Sequence, residues 1–390
     1  MSRFFSRISE NMPEKSKTYI PGLDGIRAIA FLLVYVAHTG LGVLIPGGLG
    51  VTIFFFLSGY LITTLLRMES ERTGTISISQ FYLRRTLRIF PPMYVTLVVW
   101  LVLTSIHVFV GQAQWQPTVL ASLYLTNYTD LFTLHRIQGG LNVLWSLSVE
   151  EHFYLLFPWV FLLFLRRRLS PASRTAMLAA LCLLALLWRC ILTSHFHSGY
   201  NYLHTDTRFD SILFGCLLAV SLNPFVDRTP AWVSRHSNAF AFAGLLMLLA
   251  SLLFRGETFR ETFRYSLQGV ALASIFVFVL SCPTSWAVRS LEHPILRLLG
   301  QRSYAMYLIH YCVIQSVEQK LGVGMFTACL VAAPPVCAYA WAMWRFVEAP
   351  LAGIRKGFHS TRIVETTRVL QDIAVAADKQ IRIASAENHG

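Results

Sequence analysis

Residues 23–45 read LDGIRAIAFLLVYVAHTGLGVLI, a mostly apolar run long enough to cross a bilayer core. It carries three groups that hydrocarbon excludes: Asp24, Arg27 and His38. At 100° per residue, the steps from Arg27 to His38 return the side chain to within about 20° of one face. They also rise roughly 16 Å, about half the hydrocarbon thickness. Asp24 precedes Arg27 by one helical turn and is placed to pair with it. Titratable groups inside a membrane are costly and face a protein interior or a wet cavity. The plainer readings are an Arg27 that snorkels to the inner boundary and a His38 that is a hydrogen-bonded core histidine. Finding both on one face with Asp24 favours an active-site helix, with the imidazole as its acid–base group.

The rest of the chain is consistent with a membrane setting. Its 390 residues are 55% hydrophobic, with a mean hydropathy of +0.53. This composition marks an integral membrane protein. The net charge of +13 would suggest nucleic acid in a soluble chain. Here it reflects Lys and Arg gathered on cytoplasmic loops, and no nucleic acid is expected. Seven cysteines lie in or beside apolar runs without metal-ligand spacing, so neither a metal nor a disulfide framework is predicted. No cleavable signal peptide is visible in the polar first twenty residues.

The reading is all-α and polytopic, with about ten transmembrane helices and both termini cytoplasmic. Residues 1–20 form an N-terminal tail, 21–352 the membrane core and 353–390 a C-terminal tail with a short surface helix through Val369, Ile373 and Ile381. After span one, residues 49–66 cross back and contain FFFLSGYLI, whose Ser58 and Gly59 permit close helix approach. SQFYLRRTLRIFPP reads as an interfacial helix that breaks at Pro91-Pro92 before span three, 93–110. Residues 117–134 are weakly apolar. Making them a span would turn Arg166, Arg167 and Arg168 outward against the positive-inside rule, so 111–142 is an external, partly re-entrant segment. Spans four to ten fall at 143–165, 175–194, 209–222, 238–254, 265–282, 303–319 and 323–345. This places about fourteen Arg inside against about six Lys or Arg outside.

Other polar residues gather at span ends. Arg84, Arg85 and Arg88 lie on the interfacial helix. Arg suits bidentate phosphate contact, and the alternative is a lipid-headgroup anchor. Glu150 and Glu151 sit in WSLSVEEHFYLLFP at the outer end of span four, where helical spacing lets one of them point inward. Their plainer role is a salt bridge to Arg189 or Arg208. Arg208 and Asp210 open span six, and Ser303, Tyr304, Tyr307 and His310 line span nine. Arg345 and Glu348 read as a helix clamp. No Gly-rich phosphate loop, zinc-protease helix or serine elbow occurs.

Seven pieces together resemble the bacterial family-3 membrane acyltransferases, which O-acylate cell-surface carbohydrates. They are LDGIRAIAFLLVYVAH, GVTIFFFLSGYLI, FYLRRTLRIFPPMY, LWSLSVEEHFYLLFPW, RFDSILFGCLLA, SYAMYLIH and RFVEAPL, in this order over about residues 19–350. The resemblance implies a ten-helix core of the bacterial inner membrane. It would take cytoplasmic acyl-CoA, by default acetyl-CoA, as donor and a carbohydrate or glycolipid as acceptor. By position it makes Arg27 and His38 the essential pair, held by Asp24, with Glu150 or Glu151 in the acidic motif. Arg85 and Arg88, with Arg84 beside them, would serve the donor phosphates. Ser58, Arg208, Asp210, Tyr304 and His310 are the candidates for substrate contact. His152 stands where the family often has Gln. Some relatives carry an extra extracytoplasmic hydrolase-like domain; this chain runs about forty residues past the core, so the acceptor falls to the core or to a separate protein. His38 would serve either as general base or as a transient acyl carrier. The rival class is a glycan or lipid transporter, with a regulatory receptor as a third.

Overall fold

The computed structural model describes residues 19–42, 46–129, 140–195 and 200–354. The tails, including the helix expected through Val369, lie outside the described residues, as does part of the 117–134 segment. Every regular element among the described residues is helical. Among the described residues, ten helices have fourteen residues or more: α1 (Leu23–Val36), α2 (Gly47–Thr73), α3 (Ile78–Ser105), α4 (Trp145–Arg166), α5 (Pro171–Thr193), α6 (Thr205–Ser221), α7 (Ser237–Leu253), α8 (Phe263–Ser281), α9 (Pro294–Leu321) and α10 (Met325–Met343).

Seven of these, α1 with its helical continuation to Gly40, α2–α5, α8 and α10, are long and apolar enough to span a membrane. α6 and α7 have 17 residues each, and α9 has the length but carries Gln301, Tyr304, Tyr307 and His310 along it. Enclosure varies across the spans. α2 has 78% of its apolar window buried, whereas α5 and α10 bury 28%. α2 is thus the central post, and α5 turns Leu183, Leu184, Leu187 and Ile191 outward. Such exposed leucine faces suit lipid.

Small residues set a close crossing between α2 and α6. A side chain on Gly59 would meet the Ile212 carbonyl of α6, and one on Gly215 would meet the Phe56 carbonyl of α2. Without Cβ atoms the two backbones touch, the packing expected at Ser58-Gly59.

The structure corrects the reading of Pro91 and Pro92. They do not break the chain: α3 runs unbroken for 28 residues through both. Each proline denies a helical partner to the carbonyl four residues earlier. Beside the prolines the Tyr304 hydroxyl donates to the Ile89 carbonyl (2.9 Å) and Thr96 donates to the Pro92 carbonyl (2.7 Å). Among its described residues the connection after α3 holds an eight-residue helix, Trp115–Ser122, and two 3-10 turns, Thr126–Tyr128 and Leu141–Leu144. Eight residues rise about 12 Å, too little to cross a bilayer.

Candidate active site

α1 begins with the ion pair its sequence suggests. Arg27 donates through Nη1 to Asp24 Oδ1 at 2.9 Å, and the two side chains keep 21% and 13% exposure. Asp24 also accepts from Gln301 Nε2 of α9 at 3.1 Å. α9 comes this close because Gly300 packs on the Asp24 backbone, where a Cβ would fall 1.8 Å from its carbonyl oxygen. Asp24 therefore anchors Arg27 to a neighbouring helix.

The second Arg27 neighbour comes from α3, whose Arg88 lies within electrostatic range of it. α3 and α4 run antiparallel: Tyr82 donates to the Leu155 carbonyl at 2.6 Å, and the Arg85 guanidinium lies 5.1 Å from the Tyr154 ring. This register sets Glu150 and Glu151 within electrostatic reach of Arg85. The acidic pair is thus not an isolated outer cluster. It sits along α4 beside the arginines of α3, and Arg189 and Arg208 play no part in its pairing.

Nor does only one carboxylate face inward. Both are half-buried. Glu150 accepts from the Tyr154 hydroxyl (2.9 Å) and lies in hydrogen-bond reach of Ser58 on α2. Glu151 lies in electrostatic range of Tyr124 and Tyr304, and its Oε1 is buried without a hydrogen-bond partner. Adjacent positions point about 100° apart on a helix. Here α2 walls one direction, while α9 and the 115–129 connection wall the other.

Further along α1, the regular helix gives way to a π-turn, Ala37–Leu41, ended by Gly40 at φ 86°. Such turns recur at functional sites. His38 sits in this one, half-buried, stacked on Tyr311 of α9 (centroids 4.2 Å) and 5.4 Å from the ring of His310. α9 thus follows the polar face of α1 over its length, meeting Asp24 through Gln301 and His38 through Tyr311.

Other candidates are placed elsewhere. Arg84 is engaged by Glu69 of α2 (3.0 Å), away from Arg27. Asp210 is locked to Arg189 of α5 at 2.7 Å with both side chains at 0% exposure, and Ser266 of α8 donates to it. Arg208, also fully buried, lies over the Tyr265 ring at 4.0 Å and bonds Thr52 at 3.1 Å. His152 turns away from the acidic pair's partners to Thr205 (2.7 Å). Arg345 lies over Phe346, and Glu348 is in electrostatic range of Arg302. Gln301, Tyr154 and Tyr311 were not singled out from sequence; only the one-turn spacing of Tyr154 from Glu150 and of Gln301 from Tyr304 hinted at them.

The arrangement offers three guanidinium groups opposite three carboxylates, and an imidazole further along the same helix. Among the described residues, no group of three or more His, Cys, Asp or Glu could hold a metal ion.

Comparison with known proteins shows the family. The family described as "Acyltransferase domain" matches residues 20–345. The O-acetyltransferase OatA of Staphylococcus aureus is 31% identical over 368 residues, covering 88% of this chain and 58% of the relative. The peptidoglycan O-acetyltransferase OatA of Listeria monocytogenes is 31% identical, covering 86% and 56%. The putative peptidoglycan O-acetyltransferase YrhL of Bacillus subtilis is 30% identical, covering 88% and 56%. The chain therefore spans under two thirds of the length of these curated relatives. No solved structure matches. With a match that takes in every element from the start of α1 to the end of α10, and with seven apolar spans, this multi-pass membrane protein belongs to the family-3 acyltransferases.

Proposed function

We propose that the chain is a membrane O-acetyltransferase that moves an acetyl group from cytoplasmic acetyl-CoA to a hydroxyl of cell-wall carbohydrate. The observation that carries this reading is the juxtaposition on α1. An arginine cluster shared with α3 stands at one end and a half-exposed imidazole at the other, joined by one face of α9. Relatives named for peptidoglycan O-acetylation supply the acceptor class.

The donor's phosphates dock on Arg88 and Arg85, whose planar forks suit phosphate oxygens. Arg27, held by Asp24, extends this positive surface into the bundle. The donor's arm follows α1 so that its thioester reaches His38. There His38 takes the proton of the acceptor hydroxyl as its oxygen bonds to the acetyl carbon. The carbon–sulfur bond breaks, and the proton passes to the leaving thiolate. Glu150 and Glu151 orient the arginines and the incoming groups. The ten long helices cross the bacterial inner membrane with both tails in the cytoplasm.

Inverted membrane vesicles containing the full chain, given acetyl-CoA labelled in the acetyl group, test this. Label is expected in a glycan product, and His38→Ala is expected to lower transfer by about 100- to 10,000-fold. Undiminished transfer by that variant removes His38 from the chemistry. Movement of glycan without label transfer points to a transporter instead.

A further inference from the structure

His310 is fully buried on α9, beside the proposed base but unused by the steps above. Its Nδ1 lies 2.7 Å from the Tyr307 carbonyl. A carbonyl only accepts, so Nδ1 carries the hydrogen and the neutral ring keeps its lone pair on Nε2. That Nε2 has no hydrogen-bond partner. A buried acceptor left unmatched forgoes a bond that water would have supplied, and such an atom calls for an explanation in use.

The neighbours narrow what that use is. Phe31 lies edge-on to His310 at 5.9 Å, and Tyr35, Tyr307 and Tyr311 lie at 6.2, 5.4 and 6.3 Å. Tyr35 spends its hydroxyl on the Cys329 carbonyl (2.7 Å), and Tyr307 bonds Ser146 and the Val143 carbonyl. His38, at 5.4 Å between ring centroids, is the remaining donor-bearing ring on α1. That spacing lets two ring nitrogens come to about 3 Å, hydrogen-bond range, by rotation of the rings alone.

We propose that His310 is the positioning residue for His38: its Nε2 accepts a hydrogen bond from one nitrogen of His38. This fixes the tautomer that leaves the other His38 nitrogen free to take the hydroxyl proton. The bond then shortens as His38 becomes positively charged, because hydrogen bonds to charged groups are the stronger ones. His310 itself exchanges no proton, so the balance of the reaction is unchanged. The role is that of the third group which orients a base in hydrolase triads, filled here by a neutral ring. It rests on His38 being the base proposed above.

Three substitutions separate orientation from packing. His310→Asn keeps a donor for the Tyr307 carbonyl but loses the distal acceptor. His310→Gln puts an amide oxygen near the Nε2 position. His310→Phe keeps the ring and loses both. In the labelled acetyl-CoA vesicle assay, Asn and Phe are expected to lower kcat at least tenfold with the KM for acetyl-CoA within twofold of wild type. Gln is expected to recover most of that loss. Melting temperature in detergent shows that each variant is folded. A folded Asn or Phe variant with kcat within twofold of wild type overturns the proposal, as does Asn recovering activity while Gln does not. If His38→Ala abolishes transfer but all three variants stay near wild type, only the His310 role fails. If the wild-type chain transfers no acetyl group, the function proposed above and this role fall together.

Discussion

Two regions of this protein enclose arginines and carboxylates within apolar helices, and they solve the problem in opposite ways. Where α5, α6 and α8 meet, Arg189 spends its guanidinium on Asp210, Ser266 and the Thr207 and Thr262 carbonyls, with no exposure left. Arg208 is enclosed by the rings of Tyr265, Tyr202, Phe55 and Trp145. Along α1, α3, α4 and α9, by contrast, Arg27 and Asp24 remain partly exposed, Arg85 is in electrostatic range of Arg88, and Glu151 is in electrostatic range of Glu150. Like charges held near one another within a membrane bundle are costly unless something binds there. A buried charge alone is therefore a poor marker of function. Charge left partly open to solvent is the better one.

Exchanging arginine for methionine at one site in each region gives the largest contrast. Arg189→Met strands Asp210 without its partner, a loss of about 3–5 kcal/mol, and is expected to reduce folded protein recovered from membranes. Arg27→Met is expected to leave yield and melting temperature near wild type but lower acetyl transfer by about 100-fold, the scale for removing one charge-stabilising donor. A well-folded Arg189→Met protein, or a fully active Arg27→Met protein, would break the distinction.

The close approach of α9 to α1 belongs to the open region and is testable by itself. Gly300→Ala drives a methyl group into the Asp24 backbone, an overpacking worth about 1–3 kcal/mol. It is expected to lower the melting temperature and, by parting Gln301 from Asp24, the activity. Unchanged melting with wild-type transfer would show that α9 does not need this contact.

A smaller effect separates neighbouring arginines on α3. Arg88→Gln is expected to raise the KM for acetyl-CoA about tenfold, the value of one charge-assisted bond. Arg84→Gln removes a partly exposed pair with Glu69 and should leave that KM unchanged. Equal effects from the two would return both residues to a lipid-anchoring role.

The smallest effect lies outside both regions. Arg67 donates to both oxygens of Asp227 (2.7 and 2.9 Å), and these hydrogen bonds hold the Asp227 carboxyl below its usual range. A carboxyl whose pKa is lowered on folding adds stability at pH values above the unfolded value of about 3.9, and loses it as pH falls through the folded one. Melting measured between neutral pH and pH 3 is expected to fall less steeply for Asp227→Asn than for wild type. Parallel curves would show that this pair contributes nothing.

Much of this architecture was legible in the residues. Asp24, Arg27 and His38 announced themselves because charge inside an apolar run has few explanations, and the short distance from Asp24 to Arg27 already specified their bond. Seven helices long and apolar enough to span a membrane lie over stretches that hydropathy marked, since length and apolar content are local properties. Local properties end at the helix surface. That Glu150 and Glu151 both face inward, and lie beside Arg85 rather than Arg189, follows from the antiparallel register of α3 and α4. That register is held by contacts between residues more than seventy positions apart, such as Tyr82 with Leu155. The unbroken course of α3 through Pro91 and Pro92, with Tyr304 from over two hundred residues away bonding the Ile89 carbonyl beside them, was likewise not readable locally. So the sequence by itself determined which helices carry charge. Only the tertiary structure decided which charges are sealed within the bundle and which stay partly open, because enclosure between helices depends on how their faces turn toward one another.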